Sequence, residues 1–183
     1  MTILVTAASR HESTMGIAEA IAAELRTMGY DVDVARTDHV LSVDRYGAVI
    51  LGSAVYMGKW LPGAIEFATK NQRTLQEKPV WLFSSGPLGW DDPVPAGGPA
   101  SVADLIAATG ARGHQLFVGK LDKHELGFME RLATRAVQAP EGDFRDWTAI
   151  RSWARTIGNG LGPRPLFACS ARHAQEVGGV SRR

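Results

Sequence analysis

Apolar positions along the chain switch between two periods, and the switching predicts its elements. Ile3-Leu4-Val5-Thr6-Ala7 is a short, nearly continuous apolar run, suited to a strand covered on both faces. From Met15 to Met28, Ile17, Ala18, Ile21, Ala22 and Leu25 recur at helical spacing, and Gly29 supplies a stop. Tyr30–Ala35 alternates, with Val32 and Val34 on one side. Within Tyr46–Ser53, Ala48-Val49-Ile50-Leu51 is again continuous, as a central parallel strand requires, and Gly52–Gly58 then reads as a loop. Pro62 opens a helix to about Gln76 whose stripe is Ala64, Ile65, Ala68 and Leu75. Pro79–Phe83 reads as a fourth strand, followed by a Gly- and Pro-rich loop to Pro99, a helix at Ala100–Thr109 and a fifth strand at Gly113–Val118. Leu126, Met129, Leu132, Ala133, Ala136 and Val137 keep helical spacing up to Pro140. Asp146 is a good cap for a last helix that turns Trp147, Ile150, Trp153, Ala154 and Ile157 inward. From Gly158 the period vanishes, so residues 1–158 are expected to form one domain and residues 159–183 a flexible Gly/Pro/Arg-rich tail.

Strands alternating with helices predict a three-layer α/β fold, a parallel five-stranded sheet with helices on both faces. Ligands of such sheets bind beyond the carboxyl ends of the strands, where the winding reverses. Three loops would meet there: Ser9–Thr14, Ala54–Gly58 and Ser84–Trp90. The first, Ser-Arg-His-Glu-Ser-Thr, joins a buried strand to a helix N-terminus, whose unpaired N–H groups and dipole favour an anion. Ser9, Ser13 and Thr14 add hydroxyls there, and Arg10 and His11 add charge. The structural alternative is that Ser13 only caps the helix, Ser9 only makes a turn, and Tyr56, Trp60 and Trp90 are ordinary rim aromatics.

Composition narrows the class. A chain of 183 residues buries roughly 70% of its unfolded surface as one domain and needs no disulfide or metal to build a core. Its single cysteine, Cys169, excludes a disulfide framework and a cysteine-based metal site, and no metal is expected. The net charge of +1 argues against a polybasic nucleic-acid binder. With no apolar run near the roughly 20 residues of a membrane span and no signal-peptide pattern, the chain is expected to be cytoplasmic. Asp91, Asp92, His114 and His124 read as solvated loop positions, and Lys120, Lys123, Arg131 and Arg135 as a wet face. Those basic residues leave peripheral contact with the inner face of a membrane open.

The order of elements, Ser-Arg-His-Glu-Ser-Thr, Gly-Ser-Ala-Val-Tyr-Met-Gly and Phe-Ser-Ser-Gly-Pro-Leu-Gly together resemble the flavodoxin-like domain family. More narrowly they are similar to its branch of menaquinone-dependent protoporphyrinogen oxidases. Phe117-Val118-Gly119-Lys120-Leu121 and Phe144-Arg145-Asp146-Trp147 extend that likeness to about residue 157. The resemblance implies strand order 2-1-3-4-5 and FMN as cofactor. Ser9, Arg10, His11, Glu12, Ser13 and Thr14 would then surround the phosphate. Ser53, Ala54, Val55, Tyr56, Met57 and Gly58, with Ser84, Ser85, Gly86, Pro87, Leu88, Gly89 and Trp90, would flank the isoalloxazine, and Tyr56 or Trp90 would stack on it.

Glu12 departs from the family pattern, which has glycine at that place. A carboxylate at roughly 4 Å from a phosphate costs several kcal/mol at an effective dielectric of about 20. The expectation is that Glu12 points to solvent, pairs with Arg10 or His11, or marks weak or altered flavin binding, for example of a deazaflavin. Because a flavin carries hydride or electrons itself, no catalytic residue is assigned. Three functions follow: an FMN-dependent oxidoreductase linked to protoporphyrinogen IX or a quinone, an electron-carrier flavodoxin, or a binding or regulatory domain on the same fold. The partner in the first two is a small-molecule or protein redox partner.

Overall fold

A computed structural model describes residues 1–10, 12–56, 58–86, 100–121 and 142–162. The elements are β1 (Thr2–Ala8), α1 (Ser13–Thr27), β2 (Asp31–Arg36), β3 (Ala48–Tyr56), β4 (Lys59–Trp60), α2 (Pro62–Lys70), α3 (Gln72–Gln76), β5 (Val80–Ser85), α4 (Ala100–Thr109), β6 (His114–Phe117), β7 (Lys120–Leu121), β8 (Gly142–Asp143) and α5 (Trp147–Gly160). The helix expected over Leu126–Val137 and nearly all of the expected tail lie outside the described residues.

Five strands run parallel in the order β2-β1-β3-β5-β6. That is the expected 2-1-3-4-5 order once the short β4 is set aside. The chain leaves β1 for one edge, returns past it to β3, and then builds outward to β6, so the winding reverses between β1 and β3. Their registers are close: Ala8 pairs with Ser53, and Ala54 with Ser85. The ends of β1, β3 and β5 therefore open onto one edge of the sheet, as predicted.

Each face of the sheet has its own core. Ile3, Val5, Ala7, Ile50 and Phe83 pack with Ile17, Ile21 and Leu25 of α1 and Ile150, Ala154 and Ile157 of α5. Leu4, Val49, Leu51 and Leu82 pack with Ala64, Phe67 and Ala68 of α2, Leu75 of α3, and Val102 and Leu105 of α4. Ile17, Ile21 and Leu25 are fully buried, each a gain of roughly 1.5–3 kcal/mol over exposure. Phe83, Phe117 and Trp153 meet edge to face or tilted, with ring centroids 5.6–6.3 Å apart.

Three expectations are corrected and one short ladder is added. Residues 52–58 are not a loop: β3 runs on to Tyr56 and turns back, with Gly58 at φ +73°, into an antiparallel pairing of Val55 with Trp60 and Tyr56 with Lys59. The helix from Pro62 breaks at Asn71, whose backbone leaves helical geometry (φ −104°, ψ 10°) while its side chain donates to the Phe67 carbonyl at 2.9 Å. The two-residue ladder between β7 and β8 was too short to leave a period. The last helix starts at its Asp146 cap, which accepts from Thr148 and Ala149 N–H, but passes Gly158 and ends at Gly160. Glycine suits position 158 within the helix because the end of α1 packs against it: a Cβ would stand 2.5 Å from the Met28 methyl.

Candidate functional site

The first loop enters α1 through a strained residue. Glu12 has φ 52° and ψ −8°, the left-handed region, where an L side chain costs roughly 1–2 kcal/mol. Among the described residues it is the only non-glycine at positive φ. It occupies the N-cap position of α1, and its own side chain makes no bond to the first N–H groups of the helix. Ser13 is therefore the first helical residue and not the cap. Ser9 and Thr14 are buried, Ser13 half-buried, and Arg10 exposed.

Two cations fix the surroundings of this loop. The Arg10 guanidinium lies over the Tyr56 ring, 4.9 Å from its centroid, and so joins the first loop to the end of β3. Glu12 pairs with neither Arg10 nor solvent alone: its Oε1 accepts from Arg36 Nη1 at 2.9 Å. Arg36 is the last residue of β2, placed beside the loop by its pairing with Ala7. The strand order alone puts the end of β2 beside the end of β1, which is the signal by which Arg36 was findable.

A third cation braces α1 from behind. Arg145 is only 13% exposed, is held by Asp143 through Nε and Nη2, and donates to the Ser13 carbonyl at 3.4 Å. It also covers the Trp147 ring at 4.3 Å. Gly16 makes room for it, since a Cβ there would stand 2.6 Å from Nη1.

The serines of the other two loops are placed differently. Ser53 is fully buried, donates to the Ala54 carbonyl at 2.8 Å and accepts from Leu61 N–H at 2.9 Å. Ser84, also fully buried, accepts from Trp60 Nε1 at 2.7 Å and lies 2.9 Å from His114 Nε2. Tryptophan only donates, so a neutral His114 that accepts the Ser84 proton at Nε2 completes the chain. Burial lowers the His114 pKa below its usual value, which favours that neutral form. His114 is thus a half-buried strand residue, not a solvated loop position, and Trp60 is a core residue, not a rim aromatic.

Val55 and Tyr56 are half-buried, Ala54 and Ser85 buried, and Gly58 exposed. Gly86 is buried at φ +120° and donates its N–H to the Phe117 carbonyl at 2.9 Å, ending β5 beside Val55. His11, Met57, Pro87, Leu88, Gly89 and Trp90 lie outside the described residues. Among the described residues no His, Cys, Asp or Glu cluster is placed to hold a metal. A polar concavity of about 510 Å³ lies at the opposite edge of the sheet, between Thr2, Arg26, Tyr30 and Asp33. Within it Arg45 pairs with Asp33 at 2.6 Å and Arg26 donates to the Val32 carbonyl at 2.5 Å, and it faces the amino ends of β1 and β2, away from the carboxyl edge.

The carboxyl edge thus joins buried hydroxyls, an uncapped helix start and cations in front of three strand ends, which suits an anionic group attached to a planar ring. Comparison with solved structures finds the same architecture. A flavodoxin from the Archaea matches with a TM-score of 0.61 at 17% identity, over 88% of this chain and 99% of that one. A two-electron reduced flavodoxin from Megasphaera elsdenii gives 0.57 at 19%, over 87% and 99%. The rubredoxin oxygen:oxidoreductase of Desulfovibrio gigas gives 0.60 at 17%, over 87% of this chain but only 36% of its own. Comparison with curated proteins finds no significant match. The model of the flavodoxin domain matches residues 4–148, from β1 into the start of α5, and on that span the chain belongs to the flavodoxin domain family.

Proposed function

We propose that this chain binds FMN at the carboxyl edge of its sheet and passes electrons between redox partners. FMN is the cofactor of flavodoxins. The residues present fit it: Ser9, Ser13 and Thr14 stand at a helix start that its N-cap residue Glu12 does not cap, with Arg10 and Arg36 close by. Ser9, Ser13, Thr14 and Arg10 would hold the phosphate, while Tyr56, the end of β3 and Gly86 would flank the ring. When bound, the flavin supplies the one- and two-electron chemistry. The chain's part is to orient the ring between the second and third loops and to keep water from its inner face. The observation that carries this reading is the strained, uncapped entry to α1 at the point where the winding reverses.

Within that reading, an oxidoreductase acting on protoporphyrinogen IX or a quinone is the narrower proposal. It is supported by the motif likeness in Ser-Arg-His-Glu-Ser-Thr and Phe144-Arg145-Asp146-Trp147 and by a net charge of +1, since a carrier that docks on protein partners favours a markedly acidic face. Purification tests the broader proposal. The protein should be yellow or turn yellow on reconstitution, and denaturation should release FMN. A colourless protein that takes up no FMN would refute it. Turnover of protoporphyrinogen IX or of a reduced quinone by the yellow protein then tests the narrower one.

A further inference from the structure

Arg36 makes two bonds to the first loop with one planar group. Nη2 donates to the Ser9 carbonyl at 2.8 Å and Nη1 to Glu12 Oε1 at 2.9 Å, and Nε lies 3.6 Å from Asp38 Oδ1. The loop is therefore gripped where it leaves β1 and again at its strained residue, from a neighbouring strand. The carboxylate that stands where the family has glycine meets a cation at bonding distance, so the pair adds no net charge to the loop. We propose that Arg36 is a positioning residue for the phosphate end of the ligand: it neutralises Glu12, holds the left-handed turn, and thereby sets the preference for a phosphorylated over an unphosphorylated flavin. The proposal rests on the FMN reading above. It also separates two effects of Arg36, since only loss of neutralisation distinguishes flavins by their phosphate; a loosened loop would weaken both.

The test is equilibrium titration of FMN and of riboflavin into the native protein, Arg36→Ala, Arg36→Lys and the double variant Arg36→Ala/Glu12→Gln, at low and high salt. The native protein should prefer FMN. Arg36→Ala leaves a bare carboxylate near a dianion and should lose roughly tenfold in FMN affinity at low salt, less at high salt. Its riboflavin affinity should stay within about twofold, well under 1.4 kcal/mol. Adding Glu12→Gln should restore most of the loss, and Arg36→Lys, which keeps the charge but not the fork, should retain most of the FMN preference. Equal weakening of both flavins without rescue by Glu12→Gln would make Arg36 a merely structural residue and overturn the proposal, as would unchanged FMN affinity in Arg36→Ala. Should Arg36→Ala not fold, loss of the FMN preference in Arg36→Lys would overturn it equally. A native protein that binds neither flavin overturns the FMN reading itself, an outcome visible without any variant.

Discussion

The first loop and the ends of β3 and β5 use the same residue type for opposite ends. At the first loop, Ser9, Ser13 and Thr14 surround a helix start that Glu12 does not cap, and strain sits at Glu12. At the ends of β3 and β5, Ser53 and Ser84 are fully buried and their hydroxyls serve Leu61 N–H, Trp60 Nε1 and His114. On the FMN proposal, a serine in a loop motif is a ligand-facing group or an internal brace according to whether it lies beyond the last strand pairing or within it. Ser53 and Ser84 pair with each other in the β3–β5 ladder, whereas Ser9 lies past the last β1 pairing.

If this contrast holds, damage to the braces should appear as lost stability, and damage to the first loop as lost ligand. Trp60→Ala should have the largest effect, about 3–5 kcal/mol in denaturant unfolding, because it removes a buried ring and the hydrogen bond to Ser84 together. Gly52→Ala comes next: its Cβ would fall within the Phe83 ring, and overpacking costs typically 1–3 kcal/mol. Ser84→Ala leaves the Trp60 N–H buried without its acceptor and should cost about 1–3 kcal/mol. A loss under half a kcal/mol in Ser84→Ala would show that the brace does not matter and would blur the contrast.

Glu12→Gly sharpens it from the other side. Relief of the left-handed residue is worth roughly 1–2 kcal/mol, and the exposed ion pair it gives up is worth about 0.2–1 kcal/mol. Glycine's extra freedom in the unfolded chain takes back part of the gain. Thermal unfolding should therefore show a melting temperature equal to or slightly above the native one, with FMN binding retained. A marked fall would mean that the Arg36 bond dominates the loop's stability.

The smallest expected effect is a pH dependence. His114 is lowered in the fold by burial, so the unfolded chain takes up its proton first. The stabilising contribution of neutral His114 is present above about pH 6.5 and is lost as pH falls from there through its lowered folded value. Unfolding midpoints should decline over that acid range, and His114→Gln should flatten the decline while leaving FMN binding at neutral pH unchanged.

Much of the fold was legible because its signals are local. The continuous runs at Ile3–Ala7 and Ala48–Leu51 need no knowledge of partners, and α1 and α5 carry complete apolar faces. What was missed depends on long-range pairing. The turn of β3 into β4 exists because Val55 and Tyr56 find Trp60 and Lys59, and the break at Asn71 follows from a side-chain bond that no period records. The meeting of the three strand ends on one edge was legible, and the wiring around it was not. Glu12 stood out by type, yet its partner comes from β2, 24 residues away in sequence and adjacent only in the folded sheet.

The central claim, that the first loop and the start of α1 receive the ligand's phosphate, is tested most directly by a crystal structure of the protein grown with FMN. The phosphate should lie against the first N–H groups of α1, with Ser9, Ser13 and Thr14 around it and Arg36 still joined to Glu12. A phosphate bound elsewhere, with the start of α1 bare, would contradict it.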